Sequence, residues 1–318
     1  MKTIDINEES ADRLYGLKPR LGPDGLHLFD RVTGTNILLD EVLIPEERWS
    51  TAPRQVSIAL TNACDLNCSH CYAPKLKAAL DFDLLTGWIS TLDSNGCMGI
   101  GFGGGEPTLY PKFIDLCKYA EQETNLAVTM TTHGHRLNGS FLDRLSGAVH
   151  FVRVSMDGVG ATYETVRGRS FDALVTNIER LREVVPFGIN YVVNSKTIGD
   201  LDDAISIAES VGAAEFLLLP EVAVGKGVEI DSITKRRMGT WVNEYQGPVR
   251  LAVSETGSDH LPTCEPFNKE SGVRAYAHID AGGFMKKNSF DMYGVHINDV
   301  GILNALRRLE EDNIGVNR

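Results

Sequence analysis

Between residues 54 and 220, short apolar strand-like segments alternate with amphipathic helical segments, and this alternation restricts the fold more than any other feature. Six strand-like segments occur, from one near Gln55 to one near Pro220. Alternating strands and helices are typical of parallel β/α units with right-handed crossovers. Six units are too few to close an eight-stranded barrel. The sequence therefore predicts an α/β fold, a partial (β/α)6 TIM-like barrel with its chemistry at the carboxyl ends of the strands.

The segments on either side of this region have a different pattern. Before it, apolar and polar residues alternate around a Thr-Gly-Thr turn, which predicts a β-hairpin. After it, the sequence predicts a small α+β unit with a hairpin over Gly282 and Gly283 and a final amphipathic helix. We therefore divide the chain into an N-terminal hairpin region (1–53), a partial barrel (54–221) and a C-terminal appendage (222–318).

The charge and hydropathy of the chain exclude several classes of partner. The 318 residues carry a net charge of −12, and such a surface repels phosphate backbones, so we expect no nucleic-acid partner. No run of eighteen apolar residues occurs, so we expect no membrane span. The N-terminus lacks the pattern of a secretory signal, which predicts a cytoplasmic protein with reduced thiols.

Three of the six cysteines, Cys64, Cys68 and Cys71, lie in one loop after the first predicted strand of the barrel. Thiolates are the ligands of iron–sulfur clusters, and three of them leave the fourth iron of a cubane open to another molecule. A structural zinc site and a ferredoxin-type cluster are the alternatives. Both normally need a fourth ligand close by, and the sequence offers no second cysteine pair there.

The spacing of three and then two residues between these cysteines, followed by Tyr72, resembles the hallmark of the radical S-adenosylmethionine (SAM) superfamily. The resemblance implies one [4Fe–4S] cluster on Cys64, Cys68 and Cys71, with SAM bound to the open iron. It also implies an external one-electron donor such as flavodoxin or ferredoxin. In this family reductive cleavage of SAM gives a 5′-deoxyadenosyl radical that abstracts a substrate hydrogen.

A glycine run after the second predicted strand, Gly103, Gly104 and Gly105, leads into Glu106. A glycine run alone usually marks a turn. In this position it resembles the Gly-Gly-Glu motif of the family, which implies contact with the amino group of SAM. Missing side chains also let the backbone approach a ligand closely.

Other polar residues follow the fourth and fifth predicted strands. The resemblance implies that Ser155 contacts the SAM carboxylate or ribose, that Arg167 pairs with the carboxylate and that Asn194 meets the ribose. The structural alternatives are that Arg167 is a surface residue, that Asn194 is a turn residue and that Asp157, two residues after Ser155, caps the next segment.

The stretch around Ser155 resembles the subgroup of the family that often carries a C-terminal SPASM or twitch extension, where further cysteines bind auxiliary clusters. The appendage offers only Cys264, so we expect no auxiliary cluster. Cys264 is either a buried thiol or a catalytic hydrogen-atom donor. His133 and His135, after the third predicted strand, are candidates for substrate contact or proton transfer, with a structural role as the alternative.

The subgroup resemblance implies that the substrate is a ribosomally synthesised peptide, modified by crosslinking, epimerisation or another C–H functionalisation. The N-terminal hairpin region is suited to hold such a peptide by strand addition. The alternative substrate is a small molecule of cofactor, sugar or antibiotic biosynthesis. A non-catalytic scaffold or electron carrier with the same fold is the third hypothesis.

Overall fold

The computed structural model describes residues 16–259, 261 and 266–316. Its strands are β1 (Lys18–Gly22), β2 (Gly25–Phe29), β3 (Asn36–Leu39), β4 (Gln55–Thr61), β5 (Gly99–Gly104), β6 (Ala127–Thr132), β7 (Phe151–Ser155), β8 (Phe187–Val193), β9 (Glu215–Pro220), β10 (Arg250–Val253), β11 (Tyr276–Ile279), β12 (Phe284–Lys286) and β13 (Val295–His296). Its α-helices are α1 (Phe82–Ser94), α2 (Phe113–Glu123), α3 (Gly139–Leu145), α4 (Ala161–Arg167), α5 (Phe171–Leu181), α6 (Leu201–Ser210), α7 (Ser232–Glu244), α8 (Ile297–Val300) and α9 (Ile302–Val316).

The main sheet has ten strands in the order β10-β9-β8-β7-β6-β5-β4-β11-β12-β13. The six strands predicted from the sequence are β4 to β9, and each pairs in parallel with its neighbour. At least one α-helix lies in each connection between these six strands, which is the expected arrangement of successive β/α units. The predicted α/β class and the partial parallel barrel are confirmed.

Two strands that the sequence assigned to the appendage extend this parallel sheet. Strand β10 pairs in parallel with β9 at one edge, and β11 pairs in parallel with β4 at the other. The edges of an open sheet present unpaired backbone groups, and these two strands satisfy them. The hairpin predicted over Gly282 and Gly283 is confirmed as the antiparallel pair β11–β12.

The N-terminal region forms a separate three-stranded antiparallel sheet. The predicted hairpin is confirmed as β2–β3, but the sequence reading missed β1. Strand β1 contains buried Lys18 and Arg20, which pair with Asp93 and Glu270 from distant parts of the chain. Its burial therefore depends on partners that local hydropathy does not reveal.

Alternation along β4 separates the hydrophobic core from the lumen of the barrel. Val56, Ile58 and Leu60 are fully buried and belong to the main hydrophobic cluster. Ser57 and Ala59, on the opposite face of the strand, line an internal cavity. This alternation places small and polar side chains inside the barrel.

Helix α1 illustrates how the residues at its two ends begin and end a helix of these β/α units. The Asp81 carboxylate accepts hydrogen bonds from the backbone N–H groups of Asp83 and Leu84, which caps the first turn. Asn95 ends the helix, and Gly96 after it adopts a φ of +85°. Within the described residues, no helix combines the length and hydropathy needed to cross a bilayer.

Candidate functional site

A cavity of about 500 Å³ runs through the barrel lumen to the loops that follow the strands. Its wall combines residues from β4 to β9 with residues from β11 and the cysteine loop. The sequence-predicted residues that line it are Cys64, Cys68, Cys71, Tyr72, Gly103, Gly104, Gly105, Glu106, His133, Ser155 and Arg167. The fold therefore brings most of the predicted site to one surface.

The cysteine loop carries three sulfur atoms on the wall of this cavity, and each one lies near a hydrogen-bond donor. The donors are the Leu66 backbone N–H for Cys64 Sγ (3.4 Å), Arg167 Nη1 for Cys68 Sγ (3.5 Å) and Lys75 Nζ for Cys71 Sγ (3.4 Å). Such donors stabilise thiolates, the form that binds metal. Burial raises the pKa of the Cys64 thiol, so a metal ion must displace its proton. This donor set fits an iron–sulfur cluster.

The glycine run packs directly against the start of the cysteine loop. A Cβ atom on Gly104 would lie 2.3 Å from the carbonyl oxygen of Thr61, and one on Gly105 would lie 2.3 Å from that of Ala63. The Gly105 N–H donates to the Thr61 carbonyl oxygen at 2.7 Å. These glycines are therefore required for close backbone packing beside the cysteines.

The Glu106 carboxylate is buried and held by several donors. Its Oε1 accepts hydrogen bonds from the hydroxyl groups of Thr132 (2.7 Å) and Thr108 (2.8 Å), and its Oε2 accepts one from the His133 N–H (2.9 Å). Only 1% of Glu106 is exposed. These bonds fix an acidic group in one orientation at the cavity wall.

The two histidines have different environments. His133 is buried, and its Nδ1 accepts a hydrogen bond from the His135 N–H at 3.1 Å, so in the neutral ring Nε2 carries the proton towards Asp65 at 2.8 Å. His135 Nε2 lies 2.7 Å from the Tyr163 hydroxyl. Burial, aided by the neighbouring His133 ring, lowers the pKa of His135 to about 4. The geometry gives both rings structural hydrogen bonds, and of the two His133 lines the cavity.

Asp157 is fully buried and forms an ion pair with Arg167. His70 Nε2 lies 3.1 Å from the same carboxylate, and the Val192 N–H donates to it at 2.7 Å. Burial opposes the charge, but Arg167 and His70 outweigh it and lower the pKa of Asp157 to about 2. The helix-cap alternative for Asp157 is wrong, since Gly160 caps α4. The surface alternative for Arg167 is also wrong, because its side chain is 11% exposed.

Ser155 and Tyr72 lie at different places on the cavity wall. Ser155 is the last residue of β7 and is half-buried there. Tyr72 is 42% exposed, and its ring meets Phe290 edge-on with 5.0 Å between centroids. The contact joins the cysteine loop to the segment after β12.

One predicted residue, Asn194, does not line this cavity. Asn194 Oδ1 accepts hydrogen bonds from the N–H groups of Lys196 (2.9 Å) and Thr197 (3.1 Å), and Asn194 is not part of the described cavity wall. This geometry favours its turn alternative. Cys264 lies outside the described residues, so its role as a hydrogen-atom donor stays a prediction.

Sequence reasoning missed a polar group deeper in the lumen. Ser57 Oγ lies 2.6 Å from the Tyr276 hydroxyl and 2.6 Å from His278 Nδ1, and all three side chains line the cavity. Arg153 and Asn190 line the same region. The sequence places Ser57 on the inward face of a predicted strand. It does not show that β4 pairs with β11, and this pairing brings Tyr276 and His278 beside Ser57.

Comparison with known proteins gives matches over the barrel. The model of the radical SAM superfamily matches residues 58–207. An AdoMet-dependent heme synthase of Methanosarcina barkeri is 28% identical over 66% of this chain and 64% of its own length. The mycofactocin maturase MftC of Mycobacterium ulcerans is 32% identical over 52% of this chain and 47% of its own length. The chain thus spans between about half and two thirds of these relatives.

Among solved structures, SuiB of Streptococcus suis bound to precursor peptide SuiA superposes with a TM-score of 0.74. The superposition covers 92% of this chain and 87% of that chain at 15% sequence identity. At this identity the similarity concerns the fold. It extends beyond the barrel to most of the chain.

Proposed function

Because this chain carries a radical SAM domain over residues 58–207, we propose that it is an enzyme that reductively cleaves SAM to a 5′-deoxyadenosyl radical and abstracts hydrogen from a ribosomally synthesised peptide. The observation that carries the chemistry is the group of three cysteines on one cavity wall. The peptide substrate is supported by similarity to the maturase MftC and by the fold shared with peptide-bound SuiB.

Cys64, Cys68 and Cys71 would hold a [4Fe–4S] cluster in this proposal. When bound, the cluster would supply the electron that cleaves SAM, and an external donor such as flavodoxin or ferredoxin would supply that electron to the cluster. Arg167 and Lys75 contribute positive charge next to two of the sulfur atoms. This positive charge reduces the electrostatic repulsion between three thiolates placed in one loop.

The residues around the cluster site are suited to hold the polar ends of SAM. The Glu106 carboxylate is held in one orientation by its hydrogen bonds, and its oxygens are acceptors suited to an amino group. Ser155 presents a hydroxyl group on the same wall. Asp157 holds the Arg167 guanidinium in one position beside them.

The three-stranded N-terminal sheet supports binding of a peptide. Its edge strand β3 exposes Ile37 and Leu39, which are 40% and 41% accessible. An exposed edge accepts an added strand through main-chain hydrogen bonds. In this proposal β3 pairs with part of the substrate while another part enters the barrel.

A small-molecule substrate is the second candidate. It is supported by the similarity to the heme synthase, which covers more of this chain than the similarity to MftC. The two candidates predict different products. If the substrate is a peptide, a precursor peptide encoded next to this protein should change in mass when it is incubated with the enzyme. If the substrate is a small molecule, the mass of that peptide should not change.

The chemistry is tested by anaerobic reconstitution with iron and sulfide. We expect about four irons per chain and release of 5′-deoxyadenosine from SAM under dithionite. The triple variant C64A/C68A/C71A is expected to lose both. Cys117→Ala, which removes a buried thiol in α2, is the matched control and is expected to retain both. Iron binding that survives the triple substitution would contradict the proposal.

A further inference from the structure

The group formed by Ser57, Tyr276 and His278 is not used by the cluster or by the proposed SAM contacts. Strands β4 and β11 pair in parallel, so that Tyr276 lies beside Gln55 and His278 beside Ser57. The three side chains form one hydrogen-bonded chain with both distances at 2.6 Å. They share the cavity with the cysteines.

Ser57, the central member of this hydrogen-bonded chain, lies deeper in the barrel than the cysteine loop that follows β4. Ser57 is four residues before Thr61, the last residue of β4, which corresponds to about 13 Å at the rise of a parallel strand. The lumen between the two levels is kept open by glycine, because a Cβ atom on Gly103 would meet no atom within 4 Å. A substrate side chain therefore has room between the two levels.

The hydrogen-bonded chain has a donor at one end and an acceptor at the other when Ser57 donates one of the two hydrogen bonds and accepts the other. If Ser57 donates to His278 Nδ1, then Tyr276 donates to Ser57, and the imidazole offers its Nε2–H while the phenol oxygen offers lone pairs. If the direction is reversed, Tyr276 offers its O–H and His278 Nε2 offers a lone pair. Hydroxyl and carboxamide groups combine donor and acceptor in the same way.

The charges around this group disfavour an anionic ligand. Burial lowers the pKa of His278 to about 4 and raises the pKa of Tyr276, so both side chains are neutral near pH 7. Arg153 on the cavity wall is already paired with Glu215 at 2.6 Å, and Arg167 is paired with its own buried carboxylate. A carboxylate or phosphate entering this region would lose hydration without gaining a free cation from these arginines.

We propose that Tyr276, Ser57 and His278 form a subsite that anchors the reacting side chain of the substrate, and that this side chain is uncharged and carries a hydroxyl or carboxamide group. This inference rests on the proposed function and deepens it. It assigns the C-terminal strand β11 a direct part in substrate recognition. It also disfavours phosphorylated or acidic small molecules as substrates.

The test uses the full chain, reconstituted with iron and sulfide and supplied with SAM and dithionite. The probes are N-acetyl amino acid amides with fully deuterated side chains: serine, threonine, asparagine and glutamine against aspartate and glutamate. When a probe occupies the subsite, a deuterium atom leaves its side-chain carbon and joins C5′ of the deoxyadenosyl group. The remaining carbon radical takes up one electron from dithionite and one proton from water, which restores a C–H bond. The readout is the deuterated fraction of the 5′-deoxyadenosine released, which does not depend on total turnover.

We expect the uncharged probes to give a deuterated fraction at least about fivefold above that of the acidic probes. Tyr276→Phe and Ser57→Ala should each lower the fraction for the best probe about tenfold, since each breaks the hydrogen-bonded chain. Ser254→Ala is the matched control and should keep the wild-type fraction, because Ser254 lines the cavity but follows β10, which is separated from the β4–β11 pair by five strands of the sheet. Iron content and circular dichroism report whether each variant is folded and loaded.

Two results would overturn the inference: acidic probes that transfer deuterium as well as the uncharged ones, or folded Tyr276 and Ser57 variants that keep the wild-type fraction. The inference would also be overturned if 5′-deoxyadenosine were released from SAM and none of the uncharged probes transferred deuterium to it. Failure of the wild-type chain to release 5′-deoxyadenosine at all is a different result, because it contradicts the proposed function.

Discussion

Asp157 and Arg167 form a buried ion pair beside the cysteine loop. The Asp157 carboxylate is fully buried and compensates the Arg167 guanidinium, which also reaches Cys68 Sγ. Asp157→Asn would leave that cation buried without its counter-charge. We expect a loss of about 3–5 kcal/mol in the free energy of unfolding, measured by urea titration.

The control for this prediction is Asp172→Asn, in the exposed first turn of α5, where we expect a change within about 0.5 kcal/mol. The double variant Asp157→Asn with Arg167→Gln should lose less than the sum of the two single variants, because it removes both charges together. Strict additivity of the two single effects would contradict the pairing.

The lowered pKa of buried His135 predicts that the free energy of unfolding depends on pH. Burial lowers its pKa in the folded chain to about 4, below the value of about 6.5 for an unfolded chain. Between these values the unfolded state binds more protons, so this residue's contribution to stability is present above pH 6.5 and is lost as the pH falls towards 4. His135→Gln keeps a polar group near Tyr163 and should flatten that part of the curve.

The measurement is the urea midpoint at several pH values between 7 and 4, a range that spans the window set by the two pKa values. His296→Gln is the control, since that side chain is 31% exposed beside Asp299. We expect the control to follow the wild-type curve. If His135→Gln gives the same slope as the wild-type chain, the titration of His135 does not contribute.

At the scale of elements, the loop after β9 secures the cysteine loop. The Lys226 N–H donates to the Cys71 carbonyl oxygen at 3.0 Å. The neighbouring Gly225 adopts a φ of +62°, and a Cβ atom there would lie 2.7 Å from the same carbonyl oxygen. Gly225→Ala should therefore displace the cysteine loop and weaken iron binding about tenfold, measured as iron retained against a chelator.

Gly212→Ala is the matched control for Gly225→Ala. Gly212 also has a positive φ, +78°, but a Cβ atom there would meet nothing within 4 Å. It should show the backbone strain of about 1 kcal/mol without loss of iron affinity. Equal loss of iron in both variants would show that strain alone, and not contact with Cys71, is responsible.

The sequence predicted those elements whose signal is local. The cysteine spacing, the glycine run and the six β/α units are each contained in short segments, and parallel strands bring their carboxyl ends together without further information. The contact of Ser57 with His278 joins residues 221 positions apart, and neither residue is unusual in its own segment. Strand β1 was missed for the same reason, because buried Arg20 reads as polar until Glu270 is placed beside it.

At the scale of the whole molecule, Glu270 connects three parts of the chain. Its carboxylate pairs with Arg20 of β1 and with Arg54 just before β4, the latter at 2.9 Å. Its backbone N–H donates to the Asp24 carboxylate at 2.8 Å. A buried charge with two cationic partners makes the N-terminal sheet, the barrel and the C-terminal segment depend on one another.

Glu270→Gln should therefore destabilise the chain by about 3–5 kcal/mol, since two arginines lose a carboxylate that is 3% exposed. Glu183→Gln, at a 75% exposed carboxylate beside Arg182, should change stability by less than about 0.5 kcal/mol. Limited proteolysis adds a spatial readout: cleavage in 16–40 should accelerate in the Glu270 variant before the barrel is cut. If both regions become susceptible together, the three parts unfold as one unit, and Glu270 stabilises the whole chain rather than the attachment of its N-terminal sheet.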